Sequence, residues 1–287
     1  MDKFVEAGGF RIRYIEDGAE RAPVVLMLHG ASLGSSADVF TRNLGAFAKA
    51  GFRAIAFDQP GHGLSDAPSD TGTDPGAKDP GVGITPAFMD ALGITRAALI
   101  GHSRAGGQAI QLALKDPARY TGIVVLGTGS LLPPLGEVDA ESEAAAQKKQ
   151  ERKQATIEPT PAETRRLLEA DLFHHDLITE AALARRHAMS IGRNFQAFAA
   201  RNAPKPGKGE PKPVKAPLYE RLGELKVPLL MIYGRQDRAN AGPRAELLKR
   251  RQPSLDLHII ENCKHLVPWD AADAFADLAI DFLKGAR

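Results

Sequence analysis

Ser103 lies in the run Gly101-His102-Ser103-Arg104-Ala105-Gly106. An apolar run, Ala97 to Ile100, precedes it and a helix-like pattern, Arg104 to Lys115, follows. A serine hydroxyl is a weak nucleophile at neutral pH and needs a base to take its proton and a third group to orient that base. Small residues two places to either side suit a sharp strand-to-helix turn that exposes the hydroxyl. Ala105 takes the second small position here, where glycine is more usual. In turns of this kind the partners follow in chain order, the acid first and then the histidine. The apolar run Val227 to Tyr233 leads into Gly234-Arg235-Gln236-Asp237-Arg238, which predicts Asp237 at the end of a strand. The next run, Leu255 to Ile260, leads into Glu261-Asn262-Cys263-Lys264-His265, which predicts His265 in the following loop. His29, His102, His174, His175, His187 and His258 do not combine that chain order with that position. Such a set would carry out acyl transfer, with Ser103 as nucleophile, His265 as base and Asp237 orienting the base. The oxyanion that develops needs two backbone N–H donors. One is expected from Arg104 and the other from the loop after His29-Gly30, at Ala31 or Ser32. This chemistry calls for no metal and no organic cofactor.

The elements around these residues must bring them to one edge. Strand-length apolar runs alternate with helical patterns, which predicts an α/β fold on a mainly parallel sheet with helices on both faces. Gly9 to Ile15 alternates and reads as an early antiparallel strand. The runs Val24–Leu28, Arg53–Phe57, Ala97–Ile100, Gly122–Leu126, Val227–Tyr233 and Leu255–Ile260 read as buried strands. Helices are expected at Ala37–Ala50, Arg104–Lys115, Arg244–Arg251 and Ala271–Lys284. The alternation stops after Leu126, and from about Leu132 to Leu222 no strand is evident. A charged helical stretch is expected around Ala140 to Gln154. Thr160-Pro161-Ala162-Glu163 announces another helix through a capping box, and a third starts near Thr179 and passes through Arg185-Arg186. The Pro/Lys/Gly-rich stretch Pro204-Lys205-Pro206-Gly207-Lys208 cannot hold a helix and reads as a mobile loop. The expected organisation is a core of residues 1–131 and 223–287, with a helical cap at 132–222 laid over the strand ends.

Bulk properties agree with a small-molecule site. The 287 residues, 43% hydrophobic, can bury a large core, and a net charge of +2 with no aromatic-interleaved basic stripe argues against nucleic acid. The single cysteine, Cys263, excludes an internal disulfide framework and reads as buried in apolar surroundings. No apolar run approaches the roughly 20 residues that span a bilayer, and Met1-Asp2-Lys3-Phe4 lacks a signal-peptide apolar region, so a cytoplasmic protein without a membrane partner is expected. The sequence leaves a homo-oligomer open.

With these residues in place, the chain resembles the α/β-hydrolase fold serine hydrolases, and among them the meta-cleavage-product hydrolases, which cut carbon–carbon bonds in bacterial aromatic degradation. The likeness rests on Phe4-Val5-Glu6-Ala7-Gly8-Gly9, the His29-Gly30 loop, Asp58-Gln59-Pro60-Gly61-His62-Gly63-Leu64-Ser65, Leu177-Ile178-Thr179-Glu180 and Gly234-Arg235-Gln236-Asp237-Arg238. It implies an eight-stranded sheet and a cap arginine, placed at Arg186, that binds the keto-enol end of the substrate. Arg185 beside it is the alternative. The family usually has asparagine before the nucleophile and Gly-His-Trp around the base; this chain has His102 and Lys264-His265-Leu266. Those departures favour an ester or lactone substrate, as for an esterase, while the whole-chain likeness favours a carbon–carbon bond next to a ketone. A third reading is a non-catalytic receptor for a small ligand on the same scaffold.

Overall fold

The computed structural model describes residues 1–68, 80–136, 153–203 and 216–286. The charged stretch from Ala140 lies outside these except for its last two residues, and the Pro204–Lys208 stretch lies outside them entirely. Eight strands form one sheet: β1 (Lys3–Ala7), β2 (Phe10–Asp17), β3 (Val24–Leu28), β4 (Arg53–Phe57), β5 (Ala97–His102), β6 (Tyr120–Leu126), β7 (Leu229–Gly234) and β8 (Asp256–Ile260). Their spatial order is β1-β2-β4-β3-β5-β6-β7-β8, with β2 antiparallel to both its neighbours and the other pairs parallel. Leu26, Leu28, Leu99, Val125 and Met231 face one core; Val25, Met27, Ile100, Val124 and Ile232 face the other. This two-sided burial is why the central strands read as continuous apolar runs.

Helices cover both faces. On the first, α2 (Pro80–Ala91), α3 (Arg104–Lys115) and α7 (Ala241–Arg251) contribute Phe88, Ile110 and Leu248. On the second, α1 (Leu44–Lys49), α8 (Val267–Asp270) and α9 (Ala272–Gly285) contribute Phe47, Val267 and Phe275. Between β6 and β7 stand α4 (Pro161–Asp171), α5 (Glu180–Ala188) and α6 (Arg193–Asn202). The capping box at Thr160 and Glu163 is formed, and Thr179 caps α5 through its side chain. Leu168, Leu172, Ile178 and Leu183 of this insert join the second core.

One expectation changes and two elements are added. The helix expected over Ala37–Ala50 is broken into a short 3-10 turn, Ala37–Phe40, and α1. Buried Asn43 sits at the break and donates to the Pro268 carbonyl (3.2 Å), so a tertiary contact replaces a helical turn. β1 is an additional strand; its partly exposed residues hide the alternation. α2 contains Pro86, which argues against a helix locally. Packing decides otherwise, because Phe88 stacks on Phe57 (4.4 Å between centroids) and meets Tyr14 edge-on.

The loops at the carboxyl edge are tied by one buried carboxylate. Asp58 follows β4, is fully buried, and accepts from the amides of Ala37 (2.6 Å) and Leu64 (2.8 Å) and from Arg13 of β2 (3.3 Å). Burial raises its carboxyl to about 6, against which Arg13 and the two amides hold the charged form. Arg13 also pairs with Asp2 and Asp38. Asp58→Asn removes the charge and turns an N–H toward donors. It should cost about 3–5 kcal/mol in chemical denaturation, the usual cost of breaking a buried pair; a loss below 1 kcal/mol would mean that the tie carries no weight.

Candidate active site

Ser103 is the first residue after β5 and the N-cap of α3, with φ +57° and ψ −124°. A non-glycine residue in that region costs about 1–3 kcal/mol and persists only where its surroundings impose it. The surroundings here are explicit. A Cβ on Gly101 would collide with the Ala105 carbonyl, and one on Gly106 with the Thr128 hydroxyl. The Ser103 amide donates to the Leu126 carbonyl (2.7 Å), and Thr128 Oγ1 donates to the Ser103 carbonyl (2.8 Å).

Asp237 follows β7 and His265 follows β8, both at the carboxyl edge and both buried. Ser103 Oγ is 3.0 Å from His265 Nε2, and His265 Nδ1 is 3.0 and 3.1 Å from the two Asp237 oxygens. The carboxylate holds the proton on Nδ1, which leaves the Nε2 lone pair as a proton acceptor. The set can pass the Ser103 proton to imidazole and stabilise the imidazolium against Asp237. Ala31, Ser32, Ser103, Arg104, Asp237 and His265 line one cavity of about 610 Å³. The Arg104 amide opens α3, where no preceding turn supplies it with a carbonyl.

The cap arginines separate. Arg185, 42% exposed, donates to Asp38 in the loop after β3 (2.6 Å). Arg186 is half-buried, its pKa lowered to about 10 by desolvation, with Asp171 and Asp38 as the acids acting on it. It does not line the Ser103 cavity; it lines a neighbouring one of about 420 Å³ with Gly34, Met189 and Trp269. Its charge still reaches His29 and His102 and disfavours their protonation. Cys263 is buried, and desolvation pushes its thiol up. Among the described residues no cluster of three or more His, Cys, Asp or Glu could hold a metal, and no helix is long and apolar enough to cross a membrane.

Sequence reasoning missed several supports. His102 donates from Nε2 to the carbonyl of His265 itself (2.9 Å), tying the elbow to the loop of the base. His29 donates from Nδ1 to the Gly30 carbonyl (2.7 Å) and accepts the Gln59 amide at Nε2 (2.9 Å). Arg238 Nη2 lies 2.8 Å from His265 Nε2. Adjacency to Asp237 was the one signal for Arg238; the others are long-range contacts without a local pattern.

His29, His62 and His102 are all buried, and desolvation holds each neutral, His29 at about 3 and the other two well below 6.5. The unfolded chain takes up these protons below about 6.5 while the folded chain refuses them. Stability should therefore fall as pH drops from 7.5 toward 5, by up to about 1.4 kcal/mol per pH unit for each histidine. Thermal denaturation across that range should show a falling Tm, with a shallower slope in His102→Gln; a Tm that is flat or rises on acidification contradicts this.

The family model for the alpha/beta hydrolase fold matches residues 23–272. A 2-hydroxy-6-oxononadienedioate/2-hydroxy-6-oxononatrienedioate hydrolase of Burkholderia vietnamiensis is 31% identical over 280 residues, covering 96% of this chain and 91% of that protein. A 2-hydroxy-6-oxo-6-phenylhexa-2,4-dienoate hydrolase of Burkholderia cepacia is 32% identical over 285 residues, with the same coverage. A solved meta-cleavage product hydrolase from Pseudomonas fluorescens superposes with a TM-score of 0.75 at 24% identity, over 99% of this chain and 98% of that one. These relatives are hydrolases by name, which leaves the receptor alternative without support. The chain belongs to the α/β-hydrolase fold family, and it is a hydrolase.

Proposed function

We propose that the protein hydrolyses the carbon–carbon bond of a 2-hydroxy-6-oxo-dienoic acid through an acyl-enzyme on Ser103. One observation carries this. The serine–imidazole–carboxylate relay, with separations of 3.0 Å at each step, opens onto a cavity in a chain that is 31–32% identical, over 96% of its length, to hydrolases named for such acids. The substrate first becomes a ketone, so that the departing carbon can leave as a stabilised enolate. Ser103 Oγ then attacks the 6-oxo carbonyl, the newly formed ketone serving as the electron sink, while His265 Nε2 takes the hydroxyl proton and Asp237 stabilises the imidazolium. The amides of Arg104 and of Ala31 or Ser32 hold the oxyanion. The carbon–carbon bond breaks, the enolate takes the proton from His265, and water releases the acyl group by the same route. The insert that carries α4, α5 and α6 forms the cap, and Arg186, outside the Ser103 cavity, acts on the acid through its charge rather than by contact.

A second reading is favoured by His102 and Leu266, which stand where the family usually has asparagine and tryptophan. An ester or lactone needs neither tautomerisation nor the residues that assist it.

Ser103→Ala should abolish labelling by a fluorophosphonate and lower turnover of a short p-nitrophenyl ester by about a thousandfold or more; persistence of both would remove the acyl-enzyme. Arg186→Ala, which removes a charge outside the Ser103 cavity, should lower kcat/KM on a dienoic diketone acid about threefold to tenfold while leaving the neutral ester within about twofold, the span of a screened charge acting without contact. Equal losses on both substrates would favour the ester reading.

A further inference from the structure

His265 Nε2 has one lone pair and two donors facing it. Ser103 Oγ is 3.0 Å away and Arg238 Nη2 is 2.8 Å away. The guanidinium stays charged and can only donate. While it points at Nε2 it takes up the lone pair that would otherwise receive the Ser103 proton. Once a proton did arrive, an imidazolium N–H would face a cation at hydrogen-bond distance. Asp237 on Nδ1 and the neutral His102 ring, 4.9 Å away between centroids, do not relieve that repulsion at Nε2. The arrangement therefore suits an idle site, and the guanidinium must leave before His265 can work.

Arg238 is free to do so. Its side chain is 40% exposed, and its second contact is a long pair with Asp171 at the end of α4 (3.4 Å). Its backbone is fixed, since its amide donates to Asp237 Oδ1 (2.6 Å), so the side chain can swing from an anchored Cα. It lines the Ser103 cavity, and an anion entering there meets it.

Resting on the acyl-enzyme reading above, we propose that Arg238 is a latch on the base, which the substrate's own carboxylate releases. In the empty site the guanidinium caps Nε2. A substrate carboxylate then pairs with the guanidinium and draws it aside. The lone pair turns to the Ser103 hydroxyl, and the proton passes from Oγ to Nε2 as the Oγ–carbon bond forms and the carbonyl electron pair moves onto oxygen. The cavity thus responds to a carboxylate twice, by binding it and by freeing the base. A neutral ester binds without lifting the latch.

The test compares Arg238→Gln with the unaltered protein on two p-nitrophenyl esters, one of butanoic acid and one a half-ester of adipic acid. The latch predicts opposite signs: kcat on the neutral ester rises about threefold or more, while kcat/KM on the carboxylate ester falls about tenfold or more. A residue that only supports the fold would lower both, and a bystander would change neither; either result overturns the proposal. Propionate provides a second measurement that needs no variant. It should raise neutral-ester turnover in the unaltered protein relative to sodium chloride at equal ionic strength; inhibition or no change overturns the latch. Ser103→Ala run alongside separates the two levels: if it still turns over the esters, the acyl-enzyme reading has failed rather than the latch.

Discussion

Everything at the carboxyl edge serves one unfavourable backbone conformation. Ser103 occupies positive φ at the end of β5 so that its hydroxyl stands clear of the sheet. The chain can hold that conformation only if the space around it is vacated and its peptide groups are satisfied. Gly101 and Gly106 vacate the space, and the amide and carbonyl of Ser103 are bonded to Leu126 and Thr128. Without these, a residue with a Cβ would relax toward ordinary helical or extended geometry, and Oγ would move away from His265.

The neighbouring loops are held by buried polar ties as well as by apolar residues such as Phe40, Leu132 and Leu266. Asp58 gathers the chain after β3, the chain after β4 and strand β2. His29 joins the β3 loop to Gln59, and His102 joins the elbow to the base. Arg244 of α7 donates to the carbonyls of Pro133, Gly129 and Leu132, fixing the segment that leaves β6. Buried ties of this kind are costly to leave unpaired, so each fixes one geometry for the loop it holds. Their histidines work as neutral rings, one nitrogen donating and the other in several cases accepting or left bare. The same burial that positions them makes them sensitive to acid.

Much of this was legible in the sequence because it is local. The central strands announced themselves as unbroken apolar runs, and the elbow, the Thr160 capping box and the strand-end positions of Asp237 and His265 all rest on short-range pattern. Features set by distant partners were not legible. α2 forms around Pro86 because Phe88 finds Phe57 and Tyr14, and the helix after Ala37 breaks because Asn43 finds Pro268. The cap arginines could not be told apart by spacing. Asp38, 147 residues away, engages the exposed Arg185 and leaves Arg186 as the more covered of the two. The approach of Arg238 to Nε2 belongs to the same class, since no motif specifies where an exposed guanidinium points.

The insert and the loop of the base are also fastened to each other. Asp270 of α8 accepts from the amides of Phe173 and His174, which follow α4, and from the amide of Lys264, next to His265. The Leu266 amide in turn donates to the carbonyl of Asp171 (3.0 Å). The histidine loop thus takes part of its register from a segment outside the sheet. Grafting the insert of one relative onto the core of another is therefore more than a change of pocket shape. A chimera that does not rebuild the bonds from the Phe173 and His174 amides to the Asp270 carboxylate and from the Leu266 amide to the Asp171 carbonyl would inherit a new specificity surface together with a base that has lost its datum.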